Sequence, residues 1–163
     1  MMKWTAGWSE RPPAANDGVI ALSGNRIVMP DSGWLHNWSG VQDRVADDAQ
    51  PVYVGELDGL PVYVSELVAT DTEASLLPLR EVFLTAEDVP AAMIGTATQV
   101  LQWWRDHRFC GRCGQPTGYH PAERARWCEA CGIPWYARLA PCVIVLIRRD
   151  DHFLLARSAR ASG

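Results

Sequence analysis

The sequence predicts an α+β protein built from three segments along its 163 residues. Three observations predict this class: hairpin patterns fill residues 1–84, an apolar stripe with helical spacing follows at residues 86–107, and two C-x-x-C pairs come next. We therefore expect a β-rich domain with a helix at residues 1–105. A four-cysteine metal ribbon should follow at 106–137, and the first strands of a further domain at 138–163.

Two hairpins are predicted within the β-rich segment. Val19–Leu22 and Ile27–Met29 flank a Ser-Gly-Asn-Arg loop. Val52–Leu57 and Pro61–Leu67 flank Asp58-Gly59, a pair of residues that tolerates positive φ and therefore favours a tight hairpin turn. The arms of the second hairpin nearly repeat each other, as Pro-Val-Tyr-Val-Gly-Glu-Leu and Pro-Val-Tyr-Val-Ser-Glu-Leu. One such repeat predicts two paired strands with similar packing requirements.

A single helix is predicted over residues 86–107. Thr85 or Asp88 could form its N-cap, and the second choice places Pro90 in the first turn, where proline is tolerated. Its apolar residues follow one stripe along the helix, which predicts packing against the sheet. The stripe consists of Met93, Ala97, Val100, Leu101 and Trp104.

The last segment predicts another hairpin. Residues 141–147 are an apolar run typical of a buried strand, Arg148-Arg149-Asp150-Asp151 forms a polar turn, and residues 152–156 resume. The sequence then stops without a returning strand. This pattern indicates a chain that is cut short.

Four cysteines carry the clearest chemical signal. Cys110, Cys113, Cys128 and Cys131 have the spacing C-x2-C-x14-C-x2-C, and a glycine follows each pair. Two intervening residues let a tight turn direct both sulfurs at one ion, and the glycine permits the left-handed backbone of such a knuckle. Four thiolates close the coordination shell, so the predicted ion is a structural zinc. Iron and a redox dithiol pair are the alternatives.

Three further residues near this motif could compete as ligands or react. His107 and His120 are not needed beside four thiolates, and we interpret both as surface histidines. Cys142 lies in the apolar run and is interpreted as a small core residue.

The charge distribution gives little support to nucleic-acid binding. Residues 1–104 hold 5 basic and 14 acidic side chains, whereas residues 105–163 hold 10 basic and 5 acidic ones. Four thiolates around Zn²⁺ add a charge of about −2 to the basic half, and its arginines form no run. No export signal and no apolar stretch near 18 residues is present, which predicts a cytoplasmic protein without membrane association.

The segment from Phe109 to Arg157 resembles the bacterial NADH pyrophosphatases (NAD diphosphatases) of the Nudix hydrolase superfamily. The similar stretches are Phe-Cys-Gly-Arg-Cys-Gly, Trp-Cys-Glu-Ala-Cys-Gly, Pro-Trp-Tyr-Ala-Arg-Leu-Ala-Pro-Cys-Val-Ile-Val-Leu-Ile and Leu-Leu-Ala-Arg. The resemblance implies a Nudix-like amino-terminal domain, a zinc ribbon and a catalytic Nudix domain that this chain barely begins. It also implies hydrolysis of NADH or NAD⁺ to a nicotinamide mononucleotide and AMP, removal of NAD caps from RNA, and a homodimer.

The catalytic motif implied by the resemblance is absent from these residues. Family members hold Mg²⁺ or Mn²⁺ on glutamates of a Nudix box, G-x5-E-x7-R-E-U-x-E-E-x-G-U with U aliphatic, and the metal activates water for attack on the diphosphate. Arg80-Glu81-Val82 echoes R-E-U, but Leu84 and Thr85 replace the paired glutamates and Thr72 replaces the upstream one. We therefore expect no catalytic residue in this chain, and no hydrolysis by it alone.

The resemblance also implies three substrate-binding residues. Tyr136 matches a family tyrosine that contacts the dinucleotide, Glu123 matches a substrate-site position, and Arg80 matches an amino-terminal position suited to a phosphate or carboxylate. The alternative function is a non-catalytic zinc-ribbon module that binds nucleic acid or a protein partner. Arg124 and Arg126 would be its candidate RNA contacts.

Overall fold

The computed structural model describes residues 2–29, 33–47, 49–68, 76–85, 90–138 and 143–155. Within these residues the amino-terminal domain is a mixed sheet of seven strands in the order β1-β5-β6-β2-β3-β7, with β4 beside β2. The strands are β1 (Trp4–Ala6), β2 (Gly18–Ser23), β3 (Arg26–Val28), β4 (His36–Asn37), β5 (Val52–Leu57), β6 (Leu60–Glu66) and β7 (Leu76–Pro78).

Both predicted hairpins are confirmed. β2 and β3 pair antiparallel with Leu22 opposite Ile27, around a turn in which Gly24 has a φ of 59°. β5 and β6 pair with Leu57 opposite Leu60, and the intervening Asp58 and Gly59 both have positive φ. Local turn chemistry therefore sets the strand register in this domain.

The two copies of the repeat pair with each other, as the sequence predicts. Tyr53 lies opposite Tyr63, and their ring centroids are 5.3 Å apart. The copies differ at one position, Gly55 against Ser65, and the fold explains why. A Cβ atom on Gly55 would lie 2.2 Å from the carbonyl oxygen of Thr5 in β1, so only glycine allows β1 to pair there.

Three α-helices and a short 3-10 helix (Gln42–Arg44) complete the described part of this domain. The α-helices are α1 (Trp38–Val41), α2 (Leu79–Thr85) and α3 (Ala91–Asp106). The predicted apolar stripe of α3 is buried against the sheet, as expected. Its start differs from the prediction, because Pro90 is the N-cap and its carbonyl accepts the amide hydrogens of Met93 and Ile94. Thr85 instead ends α2, and Asp88 lies outside the described residues.

The sheet has apolar side chains on both faces. Ile20 and Leu22 point toward α3, whereas Val19, Ala21 and Tyr63 form a second cluster on the other face. This alternation follows from the two-residue period of a strand. Helix α2, which the β-rich interpretation of residues 1–84 did not include, adds the fully buried Val82 to the first cluster. None of the described helices is long and apolar enough to cross a lipid bilayer.

The last described segment only partly matches the prediction. β11 (Arg148–Arg149) and β12 (His152–Phe153) form a hairpin around Asp150. The apolar residues 143–147, predicted as a buried strand, form no strand and are between 54 and 103% exposed. Apart from the Leu154 amide, which donates to the Ile147 carbonyl at 3.0 Å, the described residues give this run no pairing partner and no covering helix. Pro141 and Cys142 lie outside the described residues.

Candidate functional site

The four predicted cysteine ligands lie together. Their Sγ atoms are all within 4.8 Å of one another, and those of Cys113 and Cys128 are 3.5 Å apart. Cys128 lies in β9 (Arg126–Cys128), the central strand of a three-stranded sheet with β8 (Gly118–Tyr119) and β10 (Ile133–Trp135). Cys131 lies in the turn between β9 and β10, and Cys110 and Cys113 precede β8. Zinc–sulfur bonds of about 2.3 Å in a tetrahedron place sulfurs about 3.8 Å apart, so the cluster fits this ion.

Each cysteine pair forms a knuckle closed by a left-handed glycine. Gly114, with a φ of 74°, donates its amide hydrogen to the carbonyl of Cys110 at 2.9 Å. Gly132, with a φ of 61°, does the same to Cys128 at 2.9 Å. The backbone amide of Arg112 donates to the Cys110 sulfur at 3.4 Å. The backbone alone thus preorganises the sulfurs for a cation.

The ionisation behaviour of the thiols also favours binding of a cation by the four cysteines. Burial raises the pKa of Cys110, but amide hydrogen bonds from Arg112 and Cys113 outweigh it and lower that pKa to about 6. Hydrogen bonding with the Cys113 sulfur, followed by burial, raises the pKa of Cys131 to about 12. One sulfur therefore ionises readily, and another resists ionisation until a metal compensates the charge.

The two histidines near the motif are only half-buried, so the description of both as surface residues holds in part. His107 is half-buried, and its Nδ1 lies 2.9 Å from the carbonyl of Trp103. His120 is half-buried as well, with its ring 5.1 Å from that of Trp127. Among the described residues, neither belongs to the group that could hold a metal.

A buried arginine joins the ribbon to α3. The guanidinium carbon of Arg126 lies 4.0 Å from the ring centroid of Trp104, and the side chain is only 6% exposed. Its Nε donates to Thr117 Oγ1 at 2.9 Å and to the carbonyl of His107 at 3.2 Å. Burial lowers the pKa of Arg126 to about 10, which leaves it charged at neutral pH.

A second arginine and a tyrosine fix the ribbon to the sheet. Arg124 donates to the carbonyl oxygens of Gly7 and Val54. Tyr119 donates to the carbonyl of Pro51 at 3.2 Å, and its ring lies 4.2 Å from that of Trp104. Arg124 and Arg126 therefore hold the ribbon against the sheet and α3. This corrects their interpretation as candidate RNA contacts. Nothing in their spacing distinguishes them from exposed arginines.

A cleft of about 790 Å³ opens where the ribbon meets α3. We call it the first cleft and define it by Leu79, Trp103, His107, Ala137 and Arg138. Its volume lies in the range of small-molecule sites, and its wall mixes aromatic rings with polar side chains. Sequence reasoning did not single out Trp103 or Arg138, since α3 and the ribbon exit are joined only by the fold.

The three predicted substrate residues do not line this cleft, but each is adjacent in sequence to a residue that does. Tyr136 precedes Ala137, is 50% exposed, and donates its hydroxyl hydrogen to Glu123 Oε1 at 2.8 Å. Two predicted residues therefore form one pair on the ribbon. Arg80 is exposed in α2, directly after Leu79, which lines the cleft.

Two family models match the chain. The model of the NADH pyrophosphatase-like rudimentary NUDIX domain matches residues 16–103, more than half of the chain. The model of the NADH pyrophosphatase zinc ribbon domain matches residues 105–136. The match to the zinc ribbon model and the clustering of the four cysteine sulfurs support the same assignment. The chain therefore carries a structural zinc site.

Curated relatives give the same result. The NAD-capped RNA hydrolase NudC of Pseudomonas putida (strain KT2440) is 43% identical over 160 residues, which is 97% of this chain and 58% of the relative. The NAD-capped RNA hydrolase NudC of Pseudomonas fluorescens (strain Pf0-1) is 42% identical over 148 residues, which is 87% of this chain and 52% of the relative. The chain thus spans little more than half the length of these relatives.

Proposed function

Because the chain belongs to the NADH pyrophosphatase family of Nudix hydrolases, we propose that it serves in hydrolysis of the pyrophosphate bond of NAD⁺, NADH or NAD-capped RNA. The products would be a nicotinamide mononucleotide and AMP, the latter at the 5′ end of RNA when capped RNA is the substrate. The relatives named above are hydrolases of NAD-capped RNA, which supports this substrate class. We further propose that the active protein is a homodimer.

The first cleft is the proposed dinucleotide site, and the Tyr136–Glu123 hydrogen bond is the observation that carries it. The bond holds the Tyr136 ring in one orientation while half of its surface stays exposed. A fixed aromatic face of this kind can stack on a nucleobase or nicotinamide ring at little entropic cost. Arg138 lines the cleft and Arg80 follows the lining residue Leu79, and both side chains are suited to the diphosphate.

The bond-breaking step needs groups that residues 1–163 do not contain. Their sequence has no Nudix box, the motif whose glutamates would hold Mg²⁺ or Mn²⁺. We therefore propose that these residues bind and orient the dinucleotide but do not cleave it alone. The structural zinc would keep the ribbon rigid, since a closed four-sulfur shell leaves no position for a reacting water.

A chimera tests this function. Residues 1–163 are joined to the part of the P. putida relative that this chain does not cover, and NADH cleavage with Mg²⁺ is followed by chromatography of the mononucleotides. We expect cleavage by the chimera, none by residues 1–163 alone, and a large loss with Tyr136→Ala. A folded, zinc-loaded chimera without activity would refute the proposal.

A further inference from the structure

The imidazole ring of His107 has one nitrogen with a hydrogen-bond partner and one without. Its Nδ1 lies 2.9 Å from the backbone carbonyl of Trp103. A carbonyl oxygen only accepts hydrogen bonds, so Nδ1 carries the hydrogen, and in the neutral ring Nε2 is then an acceptor. Among the described residues no group bonds to Nε2, and this atom is accessible. His107 therefore has an acceptor that the fold itself does not use.

His107 lines the first cleft, together with Trp103, Asp106 and Arg138. The carboxylate of Asp106 is already occupied, since its two oxygens accept hydrogen bonds from Gln102 at 2.8 and 3.0 Å. A ligand donor that reaches His107 meets no such competing contact. The cleft can therefore recognise a ligand that carries an N–H donor.

The position of His107 is fixed from several sides. Its backbone amide donates to the Trp103 carbonyl at 3.2 Å, and its own carbonyl accepts hydrogen bonds from Thr117 and Arg126. The ring centroid lies 6.3 Å from the rings of both Trp103 and Trp135. An acceptor held in this way loses little conformational entropy when a ligand binds, which favours discrimination between ligands.

We propose that His107 is a specificity-determining residue of the first cleft, and that its Nε2 accepts a hydrogen bond from the –NH2 group of a dinucleotide base. This inference rests on the proposed function, because it takes an NAD-type dinucleotide as the ligand. Two groups of NAD⁺ have this chemistry, the carboxamide of nicotinamide and the exocyclic amine of adenine. A base that presents a methyl group or an oxygen at the same place leaves the acceptor unpaired and binds less tightly.

The Nδ1 hydrogen bond by itself also fits a helix cap, because histidine can bond to the last carbonyls of a helix. Two substitutions separate the cap from the recognition of a ligand. Asparagine places an amide donor near the position of Nδ1, so His107→Asn should keep the cap and lose the ligand acceptor. Glutamine places its amide near the position of Nε2, so His107→Gln should lose the cap and keep an acceptor.

The inference is tested by calorimetry on the zinc-loaded full chain at about pH 8, which favours the neutral form of histidine. The probes are NAD⁺ and two analogues. The acetylpyridine analogue has a methyl group in place of the carboxamide –NH2, and the hypoxanthine analogue has an oxygen in place of the adenine –NH2. We expect one analogue to bind about 3- to 10-fold more weakly than NAD⁺, and that analogue identifies the base.

The variants then assign this preference to His107. His107→Asn should lower NAD⁺ affinity by the same factor, leave the affinity for the weaker analogue unchanged and keep the midpoint of thermal unfolding. His107→Gln should retain the preference for NAD⁺.

Three results would overturn the inference. Equal binding of the three probes by the parent chain does so without any variant, and so does a preference that His107→Asn retains; both leave the proposed function standing. Absence of NAD⁺ binding by the zinc-loaded parent chain is the third, and NADH cleavage by the chimera then decides the proposed function separately.

Discussion

The guanidinium group of Arg126 lies 4.0 Å from the centre of the Trp104 ring. Trp104 is in the last turns of α3 and Arg126 is in the central strand of the ribbon, so this contact joins the two domains. Both side chains are almost completely buried. Buried arginines are costly unless their donors are satisfied, and here Thr117 and His107 accept from Nε.

Replacing Arg126 should therefore destabilise the whole chain. Arg126→Met keeps most of the side-chain volume but leaves the Thr117 hydroxyl and the His107 carbonyl with one partner fewer. We expect the free energy of unfolding to fall by about 1–3 kcal/mol in urea denaturation of the zinc-loaded protein. The exposed Arg112→Met should change it by less than about 0.5 kcal/mol. Equal effects of the two substitutions would show that the Arg126 contact contributes nothing.

Cys128→Ser should abolish stable zinc binding. Cys128 is fully buried at the centre of the cluster, and a serine hydroxyl is a much poorer ligand for zinc than a thiolate. Metal analysis should find about one zinc per chain in the parent protein and far less in the variant. A parent protein that is folded, free of metal and fully reactive toward thiol reagents would contradict the zinc assignment.

Zinc affinity should rise with pH between about 6 and 8. Burial is the main cause that raises the pKa of Cys128, and the neighbouring sulfurs raise that of Cys131 to about 12, so both thiols carry protons at pH 7 in the metal-free ribbon. Zinc binding must displace these protons, and lower pH therefore opposes it. Calorimetry in two buffers of different ionisation enthalpy measures the released protons. Zinc uptake without proton release would be inconsistent with this ionisation pattern.

Substitutions at Tyr136 should separate stacking from positioning. In the chimera, Tyr136→Ala removes the ring and should lower kcat/KM for NADH about 10- to 100-fold. Tyr136→Phe keeps the ring but loses the hydrogen bond to Glu123, so a loss of about 2- to 10-fold is expected. Glu123→Gln keeps an acceptor for the Tyr136 hydroxyl and therefore tests the carboxylate charge separately from the position of the ring. Identical kinetics for the alanine variant and the parent would remove Tyr136 from the site.

Gly55→Ala should destabilise the amino-terminal sheet. The added Cβ would meet the Thr5 carbonyl oxygen at 2.2 Å, and the φ of 150° is itself unfavourable for alanine. We expect a loss of more than about 2 kcal/mol in the free energy of unfolding. Gly40→Ala is the control, because its added Cβ has no atom within 4 Å. Similar midpoints for the two variants in thermal unfolding would contradict the close approach of β1.

The sequence predicts the features that depend on neighbouring residues. Asp58-Gly59 specifies its hairpin because both residues tolerate positive φ, and the cysteine knuckles need only two spacer residues and a glycine. The stripe on α3 is also local, since its period alone identifies the buried face. These predictions concern short segments, in which few other local conformations are compatible with the sequence.

Features that join distant segments could not be predicted in this way. Arg124 and Arg126 have the composition of a solvated loop, and only the folded ribbon shows that they bond to the sheet and to α3. The first cleft brings together Leu79 of α2, Trp103 of α3 and Arg138 of the segment after β10. The apolar residues 143–147 have the sequence pattern of a strand but form none. A strand also needs a neighbouring strand to pair with, and the local pattern does not provide it.

The carbonyl of His107 at the end of α3 accepts hydrogen bonds from Thr117 and Arg126 of the ribbon. The last turn of α3 is therefore satisfied by hydrogen-bond donors of the ribbon. These donors are correctly positioned only when the ribbon is folded around its ion. Zinc deprivation should consequently fray α3 from its carboxyl end, and hydrogen exchange should accelerate first at Trp103, Trp104 and their neighbours. Because Trp103 lines the first cleft, loss of zinc would then also loosen the wall of the proposed dinucleotide site.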